Sequence, residues 1–147
     1  MTTSTALTTT QPLTRLVNWR SNLQSFILTI QAQHFEYGVH DCIIFPANCI
    51  RAMTGVDLAI PYRGKYKTLR GGIGLLKKHG YKDQFDYIKR NFTEYPPSMA
   101  QTGDIALVDI GDSIPAGGIV YGDVIYMVHR KSIAVVPITM AATVYRF

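Results

Sequence analysis

Cysteine is scarce in this sequence: Cys42 and Cys49 are the only two among 147 residues. On one continuous helix they stand about 10.5 Å apart along the axis, at a rise of about 1.5 Å per residue. A disulfide needs Cα atoms within about 7 Å. Both are therefore expected as free thiols, which excludes a disulfide-stapled scaffold and points to synthesis in a reducing compartment. Charge is also thin, at 17% of residues. No apolar run is long enough to cross a bilayer, so no membrane association is expected. Met1-Thr2-Thr3-Ser4-Thr5 shows no basic region leading into an apolar core, so no signal peptide is expected. Gly71, Gly72 and Gly74 follow no strand, and no Gly-Lys-Ser/Thr occurs, which excludes a phosphate-binding loop. No cofactor and no metal ion are expected.

What is present is a 47% apolar chain of a length that suits one core and one domain. Residues 1–11 are rich in threonine and have no apolar period, so they read as an arm that orders only against neighbouring subunits. Residues 12–147 form the domain. From Pro12 an amphipathic helix is predicted to about Ala32, because Leu16, Trp19, Leu23, Phe26, Ile27 and Ile30 recur at three- and four-residue spacing. A second helix, apolar nearly all round, carries Ile43, Ile44, Phe45, Cys49, Ile50 and Met53 and stops at Gly55. It should be central and buried. Pro46 leaves its start open between Cys42 and Phe45, since proline past the first turn deletes a backbone bond. Thr68 can cap a short third helix that stops at Gly80. Beyond Pro96-Pro97 the pattern changes to short β-branched runs at 105–108, 118–121, 124–128, 132–136 and 144–145. These predict an antiparallel meander in a small curled sheet, hence an α+β domain with its helices first.

The net charge of +5 is compatible with an acidic partner without requiring one. Tyr62-Arg63-Gly64-Lys65-Tyr66-Lys67 interleaves cations with aromatics, a pattern able to stack bases and pair phosphates. No nucleic-acid motif accompanies it. The preferred reading is a solvated loop with its tyrosines packed inward, and nucleic acid is not expected as a partner.

Chemistry concentrates at Tyr37-Gly38-Val39-His40-Asp41-Cys42. A glycine turn delivers an acid, suited to N-capping, and then a thiol to the start of the buried helix. Unpaired N–H groups and the positive end of the helix dipole lower a thiol's pKa, so this position favours thiolate. The plainer reading of Cys42 is a small core residue; of His40, a turn residue bonded to backbone; of His129, a strand residue at a rim.

Four short motifs occur in order: Phe35-x-Tyr37-Gly38-x-His40-Asp41-Cys42, Thr54-Gly55-x-Asp57, Arg63-Gly64-x-Tyr66 and Gly103-Asp104. From about Phe35 to Phe147 the chain resembles the papain-like NlpC-type cell-wall peptidases, and more closely a relative encoded in phage tail-gene clusters. The resemblance implies a papain-like fold with Cys42 as nucleophile. It puts the base histidine at Ala116 or Gly117, neither of which can take a proton, and the orienting residue at His129. The site is thus expected to be incomplete. His129 or His40 is the candidate base only if the protein is active. The implied function is structural: a pseudoenzyme in a phage tail tip or baseplate, made in the host cytoplasm, located in the virion and partnered by other tail proteins. The alternative is an active cysteine peptidase or amidase acting on host peptidoglycan during DNA entry. A third reading is a nucleic-acid module built on Arg63, Lys65, Lys67 and Arg70.

Overall fold

The first helix, α1 (Trp19–Ile30), is shorter than its apolar period. The Leu16 N–H is committed to the Met53 carbonyl at 2.9 Å, which holds the chain against the end of the next helix instead of in a turn of its own. Leu16 is accordingly 42% exposed rather than part of the buried stripe, which Leu23, Ile27 and Ile30 form. The computed structural model describes residues 13–111, 115–129 and 131–147. The Thr-rich arm, Pro12 and most of the turn before Pro115 lie outside the described residues.

Helix α2 (Phe45–Thr54) packs against α1 and the sheet, with Phe45, Cys49, Ile50 and Met53 almost wholly buried. Each such apolar side chain contributes roughly 1.5–3 kcal/mol relative to exposure. Gly55 ends the helix in the left-handed region, at φ 78°. Two shorter helices follow, α3 (Leu69–Lys78) and α4 (Gln84–Asn91). The Thr68 cap is the expected one, its Oγ1 accepting from the Gly71 N–H, and α4 is capped by Asp83, which accepts from the Phe85 and Asp86 N–H groups.

The strands are β1 (Thr93–Tyr95), β2 (Ile105–Val108), β3 (Ala116–Tyr121), β4 (Val124–His129), β5 (Ser132–Pro137) and β6 (Ala141–Arg146). They form one antiparallel sheet in the order β1-β6-β2-β3-β4-β5. The expected meander holds from β2 to β5. The chain then returns so that β6 lies between β1 and β2, a non-local pairing with no local signal in the sequence. Alternation sorts the strand residues cleanly. Ile105, Leu107, Ile119 and Val128 join the core beneath α1, α2 and α4. Ala106, Val108, Val120, Ile125 and Met127 face the other way, into a cluster to which every strand contributes and none of α1 to α4 does. A sheet curled on itself buries such a face. Among the described residues, no helix is long and apolar enough to cross a membrane.

Candidate functional site

Asp41 organises the turn that carries Cys42. Its side chain is fully buried and accepts four hydrogen bonds. Oδ1 takes the N–H groups of Ile43 at 3.0 Å and Ile44 at 2.8 Å. Oδ2 takes the Gly38 N–H at 2.8 Å and the Tyr66 hydroxyl at 2.5 Å. The Phe45 N–H bonds the Asp41 carbonyl, so helical winding begins at Asp41, with Cys42 in the first turn. Pro46 then removes the N–H that would bond the Cys42 carbonyl, which is why the regular ladder starts only at Phe45. Both starts suggested by the sequence are therefore partly right.

Gly38 is required here. Its φ is +82°, and a Cβ on it would stand 3.0 Å from the Tyr66 carbonyl oxygen. The Gly38 carbonyl in turn accepts the Gly64 N–H at 2.8 Å. The first and third motifs are thus tied to each other through Gly38–Gly64 and Asp41–Tyr66.

The acids of the other motifs serve the scaffold in the same way. Arg63 pairs with Asp57 through Nε at 3.1 Å and Nη2 at 2.8 Å, and its Nη2 also reaches Asn48 Oδ1 at 2.9 Å. Fully buried Asp104 receives Arg146 in a two-point pair, Nε at 2.7 Å and Nη2 at 2.8 Å, plus the Gln101 N–H at 2.8 Å. None of these carboxylates reaches toward the thiol.

Cys42 is half-buried on the wall of an open cleft of about 420 Å³. The expected lowering of its pKa does not occur. Burial pushes the thiol up, the Asp41 carboxylate beside it pushes further, and the result is about 11. The Cys42 and Ile43 amides pull in the opposite direction and lose. At neutral pH the group is a thiol. Cys49 is fully buried, and burial holds it protonated as well.

The cleft also takes in Ala116, Gly117 and His129, so the strand ends implied by the resemblance do converge on Cys42. Of the two candidate base positions, Gly117 is on the helix-facing side, and a Cβ there would stand 3.1 Å from Phe85 Cε1 and 3.7 Å from Pro46 Cγ. Ala116 belongs to the opposite cluster. Phe85 thus lies where a side chain at 117 would project. His129 ends β4, and by alternation its side chain leaves the sheet on the face of Ile125 and Met127.

His40 does not behave as a backbone-bonded turn residue at its ring. Its main chain exchanges two bonds with Glu36, but the side chain is 2% exposed and Nδ1 has no hydrogen-bond partner. Burial lowers its pKa and favours the neutral ring. It does not line the Cys42 cleft.

Gln84, the first residue of α4, was not legible as a site residue. It is 7% exposed, lines the cleft, and leaves Oε1 unpartnered. A lone glutamine after a cap carries no sequence signal. Tyr62 and Tyr66 are buried, as the plainer reading of the basic loop requires. Among the described residues, no group of three or more His, Cys, Asp or Glu side chains is placed to hold a metal ion.

A family model described as a domain of unknown function, DUF6950, matches residues 14–147. No curated protein and no solved structure matches the chain.

Proposed function

We propose that this chain, which belongs to the DUF6950 family, is a papain-like, NlpC-type domain without thiol catalysis that serves as a structural component of a phage tail tip or baseplate. The observation that carries the reading is the state of Cys42. Its thiol is held up at about 11, and the positions where the resemblance requires a base are Ala116 and Gly117. Thiol catalysis needs an imidazole to hold the thiolate and to protonate the leaving amine. The motif residues here instead bond to one another and to the backbone, which fits a domain kept for its shape. The order of helices before an antiparallel sheet supports the papain-like assignment. The tail location and the neighbouring tail proteins as partners rest on the resemblance of the four motifs.

One observation favours the alternative, an active peptidase or amidase on peptidoglycan: His129 and Cys42 line one cleft. Digestion of purified peptidoglycan by the wild-type protein, Cys42→Ala and His129→Ala separates the two. The proposal expects no release of fragments by any of them. Cleavage by the wild type that both variants lose would establish the enzyme.

A further inference from the structure

The basic residues of this protein are not spread evenly. Residues 58–82 contain seven cations and no acid. One of the seven, Arg63, is paired with Asp57. Lys65, Lys67, Arg70, Lys77 and Lys78 are all exposed, and none has a carboxylate partner among the described residues.

Three of the five share the outer face of α3, and Lys65 and Lys67 stand in the segment that leads into it. Tyr66 is driven inward by its bond to Asp41, so Lys65 and Lys67 on either side of it face outward. On α3, Gly72 and Leu76 are the buried positions. At 100° per residue the opposite arc holds Arg70, Gly71, Gly74, Lys77 and Lys78. Gly72 is glycine for packing, since a Cβ would come within 2.6 Å of Ile43 Cδ1. Gly74 has no such reason: a Cβ there meets nothing within 4 Å. A glycine inside a helix costs about 1 kcal/mol against alanine. Here it leaves the backbone bare in the middle of the cationic arc, open to close approach by a ligand.

We infer that this arc, from Lys65 through Lys78, is a sequence-independent docking surface for the phosphodiester backbone of duplex nucleic acid. Charge complementarity is the argument for the occupant. Four of the five cations are lysines, and lysine is depleted where proteins bury surface against one another, which disfavours an acidic protein as the partner. Leu69, 37% exposed, is a single apolar side chain beside the arc, too little to anchor a lipid surface. The tyrosines that made base stacking conceivable are buried, which leaves recognition by charge and removes recognition of single-stranded bases. The five cations do not line the cleft that holds Cys42, although Leu69 does, and docking by charge makes no use of the thiol.

The test is fluorescence anisotropy of a labelled DNA duplex titrated with the full chain at several salt concentrations. Five phosphate contacts predict a slope of log K against log salt of about −4.5, or on the order of 500-fold weaker binding from roughly 50 to 200 mM salt. Lys77→Glu should weaken binding and reduce the slope by about 1. Lys77→Gln should do the same to a smaller degree. Arg20→Glu, which changes net charge as much as Lys77→Glu but lies on α1, should leave the slope unchanged. Equal losses from Lys77→Glu and Arg20→Glu would show attraction by net charge alone and overturn the assignment. So would no duplex binding at low salt, or binding to poly-glutamate as tight as to the duplex.

Discussion

At Cys42 two backbone amides and two penalties act on one sulfur, and the penalties win. Helix-end amides favour a thiolate, but they lower the pKa below its ordinary value only while the thiol stays solvated. Here burial removes water from the thiolate, and the capping carboxylate that builds the turn stands next to it. The residue that positions the cysteine therefore also disarms it. Alkylation of Cys42 by iodoacetamide, followed peptide by peptide, should still be rising at pH 9 without a plateau, as a pKa of about 11 requires. A plateau below pH 8 would show an activated thiolate. His40 gives a second residue-level expectation. Its pKa is lowered from 6.5 by burial. The unfolded chain therefore binds the proton more readily than the folded one, and stability rises with pH through this window. The contribution is fully present above about pH 6.5 and is lost as the pH falls below it, at no more than about 1.4 kcal/mol per pH unit. Urea midpoints measured between pH 7 and pH 5 should fall for the wild type and fall less for His40→Leu. Parallel curves would remove His40 as the cause.

At the level of elements, the sequence is a good guide wherever the signal is local and a poor one wherever it is not. The burial of Ile43, Ile44 and Ile50 is legible because the second helix is apolar all round, and the Thr68 cap and the Gly55 stop are legible because each acts within a few residues. The first helix is over-extended in the sequence because the competing partner of Leu16, the Met53 carbonyl, comes from another element. The place of β6 between β1 and β2 and the approach of Phe85 to Gly117 are long-range results of the same kind. For the candidate site, Cys42 and His129 can be read from the motif, and the turn's hold on Asp41 can be half-read. The fourth donor to Asp41 comes from Tyr66, 25 residues away. Asp41→Ala should cost on the order of 3 kcal/mol, combining a lost cap of about 1 kcal/mol with buried donors left unpaired at about 1–3 kcal/mol. Tyr66→Phe should cost less, about 1.5 kcal/mol for its single hydrogen bond to the carboxylate, whose three backbone donors remain. Denaturant titration of the two variants checks the ranking. A Tyr66→Phe loss equal to that of Asp41→Ala would mean that the tyrosine, not the cap, holds the turn.

Taken as a whole, the molecule is closed by its last strand. Among the described residues β1 pairs only with β6, and β6 joins the rest of the sheet through β2. The pair of fully buried Asp104 and half-buried Arg146 fastens that junction from the start of β2 to the end of β6, and the same guanidinium bonds the Met99 carbonyl at 3.0 Å and lies 4.0 Å over the Tyr95 ring. One arginine therefore holds β6, the end of β1 and the segment leading to β2. Removing only the carboxylate strands a cation against a desolvated site, whereas removing both partners leaves no unpaired charge. Asp104→Ala should accordingly destabilise by about 2–3 kcal/mol, below the figure for a wholly buried pair because Arg146 keeps some solvent, and the double variant Asp104→Ala with Arg146→Met should be less destabilised than Asp104→Ala alone. A scaffold role for Asp104 predicts this recovery in the double variant. Unfolding free energies for Asp104→Ala within 1 kcal/mol of wild type, or a double variant that adds the two single losses, would show that the pair does not close the sheet.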